Sequence, residues 1–180
     1  MGGMIAQEFA LNHASKLLSL VLGCTSPGGS EASLPDVLAA TMPQSSFAEQ
    51  MAAMSQEDFA KMLIGLLYTA EFIEGNPKVV EETIGWLMEK PIPPSIRTRQ
   101  TEAVMAHDTY DRVPQIKALT LVVGGEKDIL IPPEYQKLLA SRIPNAELVM
   151  WDDLAHGFFL QKPQETMNVV LDFLRRHPKK

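Results

Sequence analysis

The sequence runs to 180 residues, 46% of them hydrophobic and 21% charged, the composition of an ordinary globular domain with room for a sizeable core and an inserted lobe. A net charge of −6, built from acids scattered along the chain, excludes the basic face that a nucleic-acid backbone would need. No apolar run reaches the roughly 18 residues that would span a bilayer, so neither nucleic acid nor a membrane is an expected partner.

Residues 2–15 carry Met4, Ile5, Phe9 and Leu11 among Ala, Gln, Glu and Asn without a breaker, which predicts a helix with one apolar face. Gly2, Gly3 and Ala6 near its start would let it approach a sheet closely. Leu17 to Gly23 (LLSLVLG) is too short for a helix before the turn-rich TSPGGS. Its continuous apolarity predicts a strand covered on both faces, as in a parallel sheet.

From residue 31 to 111 the pattern becomes rich in Met and Ala. Helical segments are predicted around Phe47 to Met54, Gln56 to Tyr68 and Lys78 to Lys90, punctuated by Pro91, Pro93 and Pro94. This reads as a helical cap. Met51, Met54, Phe59, Met62, Tyr68, Phe72 and Trp86 are expected to form its core, although flexible methionine also suits the wall of an apolar pocket.

The β/α rhythm returns at Leu119. A strand is predicted at Leu119 to Val123, a helix opened by prolines at Pro132 to Ser141, a strand at Glu147 to Trp151 and a terminal helix at Pro163 to Arg176. Three strands followed by helices predict right-handed parallel crossovers. The fold class expected is α/β: residues 1–30 and 112–180 form a three-stranded parallel half-sheet with flanking helices, and residues 31–111 the cap.

Two residues stand out for chemistry. Asp128, in GGEKDILIPP, follows one predicted strand, and His156, in WDDLAHGFF, follows the next. Sites in α/β sheets gather at the carboxyl ends of the strands. Alone, such an Asp is a turn former and such a His a surface residue. Paired on consecutive β/α units, a carboxylate that fixes the tautomer of an imidazole is the orienter and base of nucleophilic catalysis.

The order of acid loop, helix, strand and His loop, spelled GEKDILIPP and AHGFFLQKP, is similar to the α/β-hydrolase fold, whose triad runs nucleophile, acid, base along the chain. The opening MGGMIAQEFAL resembles the segment just after the serine of that family's nucleophile elbow. SLVLGCTSPGG and HDTYDRVPQI resemble the strand and the cap exit of its esterase and enol-lactonase-like members. The resemblance implies hydrolysis of a carboxylic ester or lactone, with Asp128 as acid and His156 as base. It also implies that the Gly-x-Ser of the elbow would precede Met1, leaving Met1 on the oxyanion side of the site and compromised there.

Other candidates are weaker. Ser15, Ser26, Ser30 and Ser33 lack the glycine framing of an elbow. Cys24 could act as a thiol nucleophile, but its plainer reading is a small buried hydrophobe. His107 and Asp108 are expected to fix the cap exit by hydrogen bonding, His13 and His177 to lie at the surface, and Glu81-Glu82 and Asp152-Asp153 to be solvated. No cofactor is expected, and no metal, because no histidine pair or cysteine cluster has ligand spacing. A lone cysteine, the lack of a basic leader and Ala6 in place of a myristoylation serine favour a cytoplasmic setting.

A half-sheet would leave the apolar edge of Leu17 to Gly23 open to self-association. Three readings fit the sequence. The chain is a truncated serine hydrolase, inactive without its serine. It is an interaction protein or half-enzyme completed by a partner chain. Or it is a small-molecule binding module that uses the cap without chemistry.

Overall fold

The computed structural model describes residues 1–32, 53–89 and 91–177. Helix α1 spans Gly2–Asn12 and strand β1 Ser19–Gly23. Four helices of the 31–111 region follow: α2 Gln56–Leu67, α3 Ala70–Gly75, α4 Pro77–Glu89 and α5 Pro94–Met105. Strand β2 is Leu119–Gly125, α6 Pro133–Arg142, β3 Ala146–Trp151, α7 Phe158–Gln161 and α8 Pro163–Arg176.

The three strands form one parallel sheet in the order β1-β2-β3. β2 is central, and all but its first residue are buried. Its alternating side chains split the core in two, as the pleat requires. Val122 joins Leu20, Leu22, Ala10, Val113, Ile116, Leu139 and Ile143 on the side of α1 and α6. Leu121 and Val123 join Cys24, Leu154, Phe158 and Phe173 on the other, with Val169 and Val170 of α8 packed against them. Both faces are therefore covered, which is why LVLG and LTLVVGG read as unbroken apolar runs.

Boundaries shift where capping competes with pattern. The first helix ends at Asn12 rather than at residue 15, since the Asn12 amide turns back onto the Glu8 carbonyl at 2.8 Å and residues 14–16 close a separate 3-10 turn. β1 starts at Ser19, not Leu17, and Leu18 is 64% exposed. β2 runs two residues past Val123 because Gly124 and Gly125 still pair with Met150 and Trp151.

The predicted segment around Phe47 to Met54, with Met51, lies outside the described residues apart from Ala53 and Met54. The rest of the lobe is sealed by α2 against α4. Ser55 caps α2 by accepting from the Asp58 N–H at 3.1 Å, an N-cap that the run Ser-Gln-Glu-Asp encodes. Phe59 and Tyr68 are buried as expected, whereas Trp86 is 59% exposed. The inward stripe of α4 passes through the buried Thr83, hydrogen-bonded to the Tyr68 hydroxyl at 3.3 Å, and leaves the indole beside it. The pattern does not predict α3, α5 or α7: α3 and α7 are too short for a clear period, and Pro94, read as a breaker, is instead the first residue of α5. No helix among the described residues is long and apolar enough to cross a membrane.

Candidate active site

The carboxyl ends of β2 and β3 are fastened together before any functional side chain is placed. The Glu126 N–H donates to the Trp151 carbonyl and the Lys127 N–H to the Leu154 carbonyl, both at 2.9 Å. A Cβ at Gly125 would lie 1.9 Å from the Leu154 oxygen, so only glycine lets the two loops meet here. The loop after β2 thus runs against the loop that leads to His156.

Asp128 is buried, and its two oxygens are used differently. Oδ1 accepts from the main-chain N–H groups of Leu130 and Ile131 at 2.9 and 2.8 Å. Oδ2 lies 2.9 Å from Nδ1 of His156. The turn uses one oxygen of this Asp and the contact with the imidazole uses the other. The Asp128 side chain is 0% exposed and that of His156 24%. The acid is therefore sealed while the far edge of the imidazole can meet a substrate. A carboxylate only accepts, so it selects the Nδ1–H tautomer and leaves a lone pair on Nε2. This is the arrangement of a general base.

The end of α2 and the residue before α3 hold the His156 loop from the other side. The Gly157 N–H donates to the Leu67 carbonyl at 2.6 Å. Gln161 bridges the Ala155 N–H, at 2.8 Å, and the Thr69 hydroxyl, at 3.4 Å. Phe158 stacks on Trp151 with ring centroids 5.5 Å apart. Gln161 carries no motif in the sequence. Its role depends on α7 turning it back onto the residue before the base.

Cys24 follows β1, where the sequence predicts a core position above all. It is buried, and its sulfur also lies within 4.8 Å of a carboxylate oxygen of Asp128. Pairing of Gly23 with Val123 sets the residue after β1 beside the end of β2. Its φ of +43° is rare for a residue with a Cβ. Burial, then the Asp128 charge, push the thiol well above its ordinary range, so it is a poor thiolate source and a weak nucleophile.

Met1 caps α1 through its carbonyl, which accepts from Met4 and Ile5 at 3.0 and 3.1 Å. A Cβ at Gly3 would lie 2.5 Å from Cβ of Thr25, so the start of α1 abuts the residue after Cys24. It stands at the same end of the sheet as Asp128 and His156. Burial lowers the Met1 amine below its usual value.

The remaining candidates have structural roles. The Ser26 hydroxyl donates to the Ala32 carbonyl at 2.9 Å and accepts from the Gly28 N–H at 2.9 Å. No serine hydroxyl among the described residues is hydrogen-bonded to His156. Asp108 accepts from the Tyr110 N–H at 3.1 Å, and His107 lies 3.3 Å from the Thr109 hydroxyl, as expected of a fixed cap exit. His13 is exposed, while His177 is half-buried beside Glu147 at 3.3 Å. Glu81, Glu82, Asp152 and Asp153 are exposed, and Ser33 lies outside the described residues.

The chain is similar to known proteins in sequence and in fold. Lipase 3 of Moraxella sp. (strain TA144) is 27% identical over 171 residues, covering 93% of this chain and 51% of the lipase. The chain spans about half the length of the curated relatives it matches. The solved enol-lactonase from Burkholderia xenovorans LB400 is 25% identical and superposes with a TM-score of 0.76, over 97% of this chain and 63% of that one. MGS-M2, an alpha/beta hydrolase enzyme from a Medee basin deep-sea metagenome library, shares the fold at a TM-score of 0.80 and 22% identity, over 99% and 63% of the two chains. The family described as alpha/beta hydrolase fold matches residues 1–163, a stretch that runs from α1 through the acid loop and past His156, and the chain belongs to that family.

Proposed function

We propose that this chain supplies the base and the orienting acid of a serine-hydrolase site for a carboxylic ester or lactone. The nucleophilic serine would stand before Met1 in a longer product or on a partner chain. The observation that carries this is the buried Asp128 carboxylate, 2.9 Å from Nδ1 of a partly exposed His156 at the ends of adjacent parallel strands. Similarity to a lipase and to an enol-lactonase supports an ester bond as the target.

In that reaction Nε2 of His156 removes the serine proton as the oxygen attacks the carbonyl carbon. Asp128 stabilises the imidazolium by charge and by its hydrogen bond. The imidazolium then returns the proton to the departing alkoxide oxygen. Water, deprotonated by the same nitrogen, releases the acid in the second half. The N–H of Met1 is the candidate oxyanion donor on the substrate side. Without the serine the pair should not turn over ester, since loss of that residue costs on the order of 10⁶-fold in a well-studied protease.

The test is a fluorophosphonate probe and a short p-nitrophenyl ester, applied to residues 1–180 and to a version extended upstream of Met1, each beside His156→Ala. Labelling and turnover only in the extended protein, lost with His156→Ala, is the expected result. Labelling of residues 1–180 by themselves would sink the assignment of the nucleophile.

Exposed apolar side chains favour a second element of this reading. Ile5 at 61%, Phe9 at 41% and Leu18 at 64% exposure flank β1, which forms one edge of the sheet. We assign that face to further strands, from an upstream segment or a second chain. Sedimentation of the chain by itself, compared with the extended version, should show self-association only in the former. A cytoplasmic setting belongs to the same proposal, supported by an unpaired cysteine at the site.

A further inference from the structure

Spacing along the sequence offers no metal site, but the fold builds one from three separate loops. Cys24 follows β1, Asp128 follows β2 and His156 follows β3. One ligand atom from each, a sulfur, a carboxylate oxygen and an imidazole nitrogen, lie within 4.8 Å of one another. Tetrahedral zinc with sulfur, nitrogen and oxygen ligands holds them roughly 3.3–3.6 Å apart. The cluster therefore needs only a small inward shift.

The surroundings suit a cation. Asp128 brings a negative charge to a buried position, and a bound cation would offset the burial and the carboxylate charge that hold the thiol protonated. Cys24 is held at φ +43°, which keeps its sulfur within 4.8 Å of the Asp128 carboxylate. Two borderline-to-soft ligands and one carboxylate match zinc or cadmium rather than magnesium or calcium, which take oxygen alone.

We propose that Cys24, Asp128 and His156 form a binding site for a thiophilic divalent cation, zinc or cadmium, whose occupancy withdraws the base and its orienting acid from proton transfer. The thiol proton leaves to solvent as sulfur binds the cation. The imidazole stays neutral: its proton shifts from Nδ1 to Nε2, and Nδ1 becomes the ligand. Nε2 then carries a hydrogen and cannot act as a base. The site rests on the positions of three side chains and not on the catalytic reading. On that reading it is inhibitory and reversed by a chelator.

The experiment is a titration of the full chain with cadmium, followed by the ultraviolet sulfur-to-cadmium charge-transfer band, with zinc as competitor. Cys24 is the sole cysteine, so the band reports on one atom. One equivalent should saturate it, Cys24→Ser should abolish it, and His156→Ala and Asp128→Asn should each weaken binding by at least the roughly 10- to 100-fold that even outer-shell partners are worth. A second readout needs no variant: nitrogen-detected imidazole resonances during a zinc titration. His156 should shift at one equivalent while His13, His107 and His177 do not.

Absence of the band, or a band of unchanged affinity in His156→Ala and Asp128→Asn, overturns the site. So does a His156 resonance that ignores zinc, or a band that persists with the same affinity in the urea-unfolded chain. Ester turnover plays no part in these readouts. Cadmium binding by the chain together with no ester turnover in the version extended upstream of Met1 retains the metal site and loses the hydrolase reading, and the converse result does the reverse.

Discussion

The main-chain N–H of Gly157 donates to the carbonyl of Leu67 at 2.6 Å, which ties the residue after the base to the last turn of α2. The contact leaves no room for a side chain. A Cβ at Gly157 would lie 2.5 Å from Cε1 of Tyr68 and 2.9 Å from the Leu67 oxygen. Gly157→Ala should destabilise the fold by about 1–3 kcal/mol through overpacking, read from denaturant midpoints. The His156 ring resonance should move with it, because the displaced loop carries the base. A variant with an unmoved ring would show that the cap does not position His156.

Asp128 separates two kinds of damage. Asp128→Asn keeps an oxygen for the Leu130 and Ile131 N–H groups but presents an amide to His156. The fold should survive, while turnover by a nucleophile-bearing version falls on the order of 10⁴-fold because the imidazole takes the wrong tautomer. Asp128→Ala removes the acceptor as well. The buried Ile131 N–H then loses its partner, at about 1–3 kcal/mol, and the part-buried Leu130 N–H loses its own at a smaller cost. Equal stability of the two variants would count against this division of labour between the oxygens.

Thr109 and Arg112 both join the cap exit to α1, and burial decides which matters. The Thr109 hydroxyl lies 2.7 Å from Oε1 of Gln7, which in turn donates to the Ser26 carbonyl at 3.0 Å, and both side chains are fully buried. Thr109→Val should cost about 1–3 kcal/mol, since it strands a buried acceptor. Arg112 makes a paired contact with Glu8, but the two side chains remain 42% and 39% exposed. Arg112→Ala should cost at most about 1 kcal/mol after solvent screening, and less in high salt. A larger loss at Arg112 than at Thr109 would reverse the argument.

His107 should make stability depend on pH near neutrality. Burial is the main cause that lowers its value, with Arg112 and the Met1 amine acting in the same direction and Glu8 and Asp108 opposing them. The folded state therefore favours the neutral ring. The contribution is complete above the unfolded value of about 6.5 and is lost as pH falls through the folded value. Glu8, also lowered, by its bond to Arg112, titrates on the acid side of the ordinary carboxylate range and so outside that window. Thermal melts between about pH 8 and pH 5 should slope downward with acid, and His107→Asn should flatten the slope. An equally steep slope in the variant would place the titrating group elsewhere.

The sequence alone carried the class of fold and singled out Asp128 and His156, the two residues that the structure sets 2.9 Å apart. Unbroken apolar runs at Leu17 to Gly23 and Leu119 to Val123 announce strands with two covered faces, because a parallel sheet exposes neither. Asp128 and His156 are legible for a related reason: each follows a strand, and that position by itself puts it at the end of the sheet where side chains converge. Local signals also marked Gln56 as the start of α2 and Pro163 as the start of α8. What only the tertiary structure decided are relations between residues far apart in the chain. The thiol of Cys24 meets Asp128 across 104 positions because β1 and β2 pair in one register. Gln161 reaches Thr69 across 92. Neither contact leaves a trace in periodicity or composition, because both depend on which loops the strand pairing and the cap bring to the same end of the sheet.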